Sequence, residues 1–273
     1  VLAVVTATEG STYRKPGAMM LIGPGGDFAG LVSGGCLEGD LSERARAVIE
    51  SGEPMTVDYD LQDNDLLFGL GLGCGGSVHL QLVRLDKAQR FEPLDSLFAA
   101  LRAGEHCELA LVCASTDPAL PPGSMALAAG GGTGTGAPQL LNRLDKGEPG
   151  PGRARNESLE TATGSAELLI ITIAPSPHVL VCGAGPDAVP LVSQVLALGW
   201  DCTVADHREA FADPARFPAG ANVLCQRPAA LEGHPILAQI DAAILMTHHV
   251  GHDSDYLRAL KAAPPAYLGL LGP

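Results

Sequence analysis

The sequence predicts an α/β protein in two parts: a mixed α+β domain over residues 1–174, then a doubly wound parallel sheet over residues 175–273. Three observations predict it. Pro175-Ser176-Pro177 interrupts the chain as a hinge. Beyond it, short apolar runs alternate with helical stretches, the pattern of parallel strands joined by crossover helices. The first of those runs, His178 to Cys182, leads through Gly183-Ala184-Gly185-Pro186-Asp187-Ala188 into a helix. That is the Gly-x-Gly-x-x-Ala turn of a Rossmann-like sheet.

The elements follow in order. Leu2 to Thr6 is an apolar strand, and Glu9 to Gly17 is a loop closed by Pro16-Gly17. Ala18 to Ile22 and Phe28 to Val32 are strands around the turn Pro24 to Asp27. Leu37, Leu41, Ala45, Val48 and Ile49 recur at helical spacing, and Gly52 stops that helix. Val78 to Leu85 alternates as a half-buried strand. Pro93 to Arg102 reads as a helix, and Glu108 to Ala114 as a strand. Residues 121–166 are rich in Gly, Pro and Ser; Gly130 to Gly136 suggests a hairpin, and Lys146 to Asn156 a mobile loop. Leu168 to Ile173 is the last strand before the hinge. After the glycine turn a helix runs through Leu198, and Cys202 to Ala205 is a strand ending in Asp206. Ala221 to Cys225, Ala242 to Met246 and Tyr267 to Leu271 are further strands, with a helix over Asp253 to Ala262.

Composition narrows the function classes. Hydrophobic residues make up 46% of 273, enough for packed cores, while aromatics are only 4%. A formal net charge of −14 argues against nucleic acid and anionic membrane as partners. No apolar run reaches the roughly 18–20 residues that span a bilayer, and no secretory signal is seen. The cysteines at 36, 74, 107, 113, 182, 202 and 225 are odd in number, irregular in spacing and without a Cys-x-x-Cys pair. Neither a disulfide framework nor a zinc finger fits, and a reducing cytosol is the natural compartment. Gly130 to Gly136 lacks the Lys-Ser/Thr ending of a P-loop, and no Gly-x-Ser-x-Gly elbow is present.

Two cysteines stand apart. Cys36 follows Gly34 and Gly35, and Cys74 precedes Gly75 and Gly76. Glycine removes side-chain bulk and opens unusual backbone conformations. A thiol there can meet a ligand beside bare N–H groups, and the helix start after Cys36 would lower its pKa. Thiolate ligand and sulfur carrier are the functional readings; the plain one is an inert buried thiol. That plain reading is the better one for Cys107, Cys113, Cys182, Cys202 and Cys225. Glu9, Thr12, Arg14, Lys15, Glu38 and Asp40 lie near these loops, as an anion-holding set or as solvated surface.

In the second part, Gly183 permits the tight turn and Gly185 lets phosphate approach a helix N-terminus. Asp206, at the end of the next strand, is placed to accept hydrogen bonds from a ribose. The alternative is a Rossmann scaffold whose nucleotide site is unused. Thr247-His248-His249-Val250-Gly251-His252-Asp253 follows another strand, where its imidazoles suit metal binding or acid–base work. The plain alternative is a loop in which Asp253 caps the next helix.

Glu9 to Ala18, Ser33 to Leu41 and Gly71 to Gly76 resemble the N-terminal signature of the XdhC/CoxI family. Cys182 to Leu191, Asp206 to Arg208, Arg216 to Pro218, Thr247 to Leu260 and Tyr267 to Pro273 resemble that family's Rossmann domain. The resemblance implies a maturation factor for molybdenum hydroxylases such as xanthine dehydrogenase. Such a factor binds the molybdenum cofactor (molybdopterin or its dinucleotide form), supports its sulfuration by a cysteine desulfurase and delivers it to the apo-enzyme. Cytoplasmic location and a homodimer are implied as well. The family's pattern runs on beyond the Gly-Leu-Leu-Gly segment that ends this chain. On this reading Gly34, Gly35, Cys36, Cys74 and Gly75 hold the cofactor, with Cys36 and Cys74 facing the molybdenum. Gly183, Gly185, Asp206, His248 and His249 hold a nucleotide part. The rival reading is an NAD(P)-dependent oxidoreductase with His248 or His249 as acid; a third is a thiol-based redox or metal sensor.

Overall fold

The computed structural model describes residues 1–60, 76–130, 134–144 and 154–272, and the chain divides into two units, Val1–Pro175 and Ser176–Pro273. Cys74 and Gly75 lie outside the described residues, as does most of the stretch read as a mobile loop.

In the first unit, β1 (Leu2–Gly10), β2 (Met19–Ile22), β3 (Phe28–Gly30), helix α1 (Glu38–Ser51), β4 (Met55–Asp60) and β5 (Gly76–Val83) come first. The strands form an antiparallel sheet in the order β3-β2-β1-β5-β4. The opening run of β1 is apolar at every position because both its faces are covered. Ala3 and Val5 enter a core with Leu41, Ala45 and Val48 of α1 and Leu80 and Leu82 of β5. Leu2 and Val4 enter a second core. Gly52 ends α1 at φ 77°, the left-handed conformation its place after the periodic run predicts.

The second core is shared with helix α2 (Leu94–Arg102) and another antiparallel sheet. That sheet has β6 (Cys107–Ser115), β7 (Met125–Ala129), β8 (Gly134–Gly136), β9 (Ala154–Glu160) and β10 (Ser165–Ile173), in the order β8-β7-β6-β10-β9. Leu109, Leu111, Leu169 and Ile171 face Leu2 and Val4. Ala110, Val112, Leu168 and Ile170 face outward, under Leu140 of the short α3 (Pro138–Leu141) and Leu144. The tail of the glycine stretch, β8, pairs antiparallel with β7. Periodicity does not reveal β4, β7 or β9: β7 is mostly alanine, and β4 and β9 are polar and largely exposed, so burial never patterns them.

The second unit holds β11 (His178–Cys182), α4 (Ala188–Ala197), β12 (Asp201–Asp206), β13 (Asn222–Cys225), β14 (Ala242–Leu245), α5 (Val250–Leu260) and β15 (Tyr267–Leu270). Every strand pair is parallel, in the order β13-β12-β11-β14-β15. This is the doubly wound sheet that the alternation of strand and helix predicts. Strand order reverses direction between β11 and β14, so the ligand-binding crevice of such sheets opens at their carboxyl ends.

Candidate functional site

In the first unit the loop before α1 is organised by its own acid. Glu38 is 2% exposed. Its Oε1 accepts from the N–H groups of Val32 (3.2 Å) and Ser33 (2.9 Å), and its Oε2 from the Leu37 N–H and the Ser33 hydroxyl. The Ser33 Oγ in turn accepts from the N–H groups of Gly35, Cys36 and Leu37 at 3.1–3.2 Å. Burial pushes the Glu38 pKa up, but these hydrogen bonds outweigh it and hold the carboxyl below its ordinary value. The expectation of bare N–H groups beside Cys36 is thereby corrected: the loop is a nest already filled by Ser33 and Glu38.

What stays open is the outer face of the loop. Gly34 and Gly35 are exposed and Cys36 is half-buried. Gly35 has φ 107°, and a Cβ there would meet no atom within 4 Å. A Cβ on Gly34 would touch the Tyr13 ring at 3.7 Å, so the Glu9–Gly17 loop borders this surface. That loop also borders the start of β5. Gly10 pairs with Gly76, and a Cβ on Gly76 would strike the Glu9 carbonyl oxygen at 2.3 Å. Tyr13 thus adjoins the Cys36 loop, and Glu9 and Gly10 adjoin Gly76. Arg14 lies over the exposed Tyr13 ring at 5.6 Å, Lys15 bonds Thr12, and Asp40 accepts from Arg44 and Tyr59. A separate hollow of about 730 Å³ is lined by Leu21, Phe28, Phe91, Leu94 and Phe98, away from Cys36.

The other thiols of the described residues read as packing groups, with one exception. Cys107, Cys182 and Cys202 are buried and Cys113 is half-buried. Burial raises all four, Cys113 and Cys202 to about 11. Cys225, at the end of β13, is exposed instead.

In the second unit the glycine turn sits at the switch point. Gly183 has φ 109°, and a Cβ there would stand 2.7 Å from the Met246 carbonyl oxygen, after β14. A Cβ on Gly185 would meet the Asp187 side chain, with Oδ1 at 2.5 Å. Asp187 folds its carboxylate over that glycine; Oδ2 pairs with His248 Nε2 at 2.7 Å, while Oδ1 is buried with no partner among the described residues. His248 itself has φ 56°, an uncommon conformation for a residue with a side chain.

Asp206 is not waiting for a ligand. Its Oδ2 accepts from the Ala184 N–H (2.8 Å) and Arg208 Nη2 (2.7 Å), and its Oδ1 from Arg208 N (2.9 Å) and Nε (3.0 Å). Those four bonds use the whole acceptor capacity of a carboxylate. Burial pushes its pKa up, but the Arg208 bonds and the Ala184 N–H overcome that and hold it at about 2. Arg216 completes the brace by donating to the Ala184 carbonyl at 2.8 Å.

The histidine segment also departs from expectation. The N-cap of α5 is His249, whose Nδ1 accepts from the His252 N–H; Asp253 lies inside the first turn and accepts from Thr247. The sequence singles out His248, His249 and His252, but the ring cluster consists of His207, His249 and His252. Centroids are 4.6 Å apart for His207–His252 and 4.4 Å for His249–His252. Sequence reasoning misses His207 because it stands beside Asp206, far from the other histidines along the chain. Among the described residues no group of three or more His, Cys, Asp or Glu side chains is arranged to hold a metal ion. Nor, among them, is any helix long and apolar enough to cross a membrane.

Comparison with known proteins bears on both units. Residues 1–60 match the XdhC and CoxI family, and residues 179–273 match the XdhC Rossmann domain. A probable xanthine dehydrogenase subunit of Bacillus subtilis (strain 168) is 29% identical over all of this chain and 79% of that protein. The molybdenum cofactor insertion chaperone PaoD of Escherichia coli (strain K12) is 26% identical over all of this chain and 66% of its own length. A crystal structure of a xanthine dehydrogenase from Bacillus halodurans is 28% identical with TM-score 0.78, covering 99% of this chain and 77% of that one. With both its glycine-cysteine loop and its parallel sheet matched, the chain belongs to the XdhC/CoxI family.

Proposed function

We propose that this protein is a maturation factor that holds the molybdenum cofactor as cargo and passes it to the apo form of a molybdenum hydroxylase. The observation that carries this reading is the open face around Cys36. A half-buried thiol stands beside two exposed glycines, bordered by Tyr13, with the residue after Gly75 joined to the same loop. The likeness to PaoD, named as an insertion chaperone for that cofactor, supports it.

A soft, oxidisable metal dithiolene calls for thiolate neighbours, and Cys36 with Cys74 would supply them. Because the inner N–H groups of the loop are already engaged by Ser33 and Glu38, the cargo would rest on the outer glycine surface. Sulfuration by a cysteine desulfurase, delivery to the client, a homodimeric state and work in a reducing cytoplasm belong to the same proposal. The second unit would hold a nucleotide part, through Gly183, Gly185, His248 and His249, if the cargo is the dinucleotide form. The oxidoreductase alternative is weakened by Asp206, whose acceptor sites are taken by Ala184 and Arg208.

The test is to purify the protein from cells that make the cofactor and to measure molybdenum and pterin per chain. Stoichiometric cargo in the natural sequence, lost in Cys36→Ala with Cys74→Ala, is the expected result. Cargo retained by that double variant removes the thiol role.

A further inference from the structure

The carboxyl ends of β12 and β14 gather three imidazoles and an arginine in a chain whose net charge is −14. His207 and Arg208 follow β12, and His249 and His252 open α5. The rings of His207 and His249 both pack on His252, within 4.6 Å. Arg208 lies close enough for its charge to act on His252. Its guanidinium sits 3.9 Å from the Phe211 ring centroid, which fixes its plane, and the fork to Asp206 uses Nε and Nη2. Nη1 takes no part in that fork, and the side chain remains 41% exposed.

The surroundings of His252 work against a proton on its ring. Slight burial and then the neighbouring His207 and His249 lower the His252 pKa, Arg208 acts the same way, and Asp255 opposes them. The start of α5 adds the positive end of a helix dipole. The carboxylate that His207 approaches, Asp206 at 3.5 Å, already accepts four hydrogen bonds. The arrangement is unfavourable to a cation. For an anion it offers an Arg face, ring N–H donors and a helix start together.

We propose that His207, Arg208, His249 and His252 form a binding corner for a phosphate monoester, so that the edge of the sheet selects ligands by a terminal phosphate rather than by a ribose hydroxyl on Asp206. An Arg near this strand end is the general solution for a phosphorylated ribose in doubly wound sheets. The same phosphate chemistry is offered by a phosphorylated pterin. The proposal does not depend on molybdenum or on the cysteine loop.

Calorimetric titration of the full chain with two ligand pairs tests it: 2′-AMP against adenosine, and neopterin monophosphate against neopterin. The phosphorylated member of at least one pair is expected to bind about tenfold tighter, and the pair that shows it names the source. In ring-proton NMR the phosphorylated ligand should shift His207, His249 and His252 and leave the half-buried His178, bonded to Thr203, in place. His207→Gln with His252→Gln, both at half-buried positions, should abolish the preference with the fold intact by circular dichroism. Equal affinities within both pairs, or a preference that survives the double variant, would overturn the proposal.

Discussion

Arg208 holds the buried Asp206 by three hydrogen bonds of 2.7–3.0 Å, one from its backbone N–H and two from its guanidinium. The same carboxylate takes the Ala184 N–H of the glycine turn, so one acid ties β12 to the loop after β11. Its folded pKa of about 2 lies below the ordinary 3.8. A depressed carboxylate contributes stability that is present above its unfolded pKa and lost as pH falls through the folded one. On the order of 2 kcal/mol should therefore disappear between about pH 5 and pH 2. Urea unfolding of the second unit across that range should show the loss, and Asp206→Asn should remove the pH dependence while lowering stability at pH 7.

Glu38 plays the same part in the first unit. Its pKa is likewise lowered, so its contribution is also present at neutral pH and fades on acidification. Glu38→Gln places an amide NH₂ among N–H donors and should cost about 1–3 kcal/mol. The cysteine loop should loosen first, seen as faster reaction of Cys36 with a thiol reagent before the melting temperature falls.

The two glycines of the turn should separate by what a methyl group meets. At Gly183 it meets the Met246 main chain and a φ of 109°. Gly183→Ala should therefore destabilise the second unit by more than about 2 kcal/mol, measured by denaturation. At Gly185 it meets the end of the Asp187 side chain, which can swing away. Gly185→Ala should fold with a change below about 1 kcal/mol and weaken nucleotide binding instead.

His248 tests the cost of its φ of 56°. His248→Gly should be close to neutral, because relief of the conformation offsets loss of the solvent-exposed pair with Asp187, worth under about 1 kcal/mol. His248→Val should cost about 1–2 kcal/mol more than the glycine variant, since a β-branched residue resists that region.

Strong periodicity and glycine punctuation make much of the fold legible. The stop of α1 at Gly52, the turn at Gly183 and the parallel sheet all follow from residue type. Strands β4, β7 and β9 do not, since alanine and exposed polar residues carry little pattern. At the site, Cys36 and the motif loops can be picked out. Their hydrogen bonding cannot, because a serine hydroxyl and a glutamate look the same in sequence whether they face solvent or fill a nest. Asp206 illustrates the limit: its position matches a ribose acceptor, and only the neighbouring Arg208 and Ala184 reveal that its lone pairs are spent. The pairing of His207 with His252 needs the sheet itself, which brings residues 45 positions apart to one edge.

The two-faced burial of β1 has a consequence for dissecting the molecule. Stripping away everything after position 60 would leave Leu2 and Val4 wet on one side while Ala3 and Val5 lost their β5 neighbours on the other. The stretch that announces the family is therefore no detachable module; its two interiors should melt together, in a single transition that includes both antiparallel sheets.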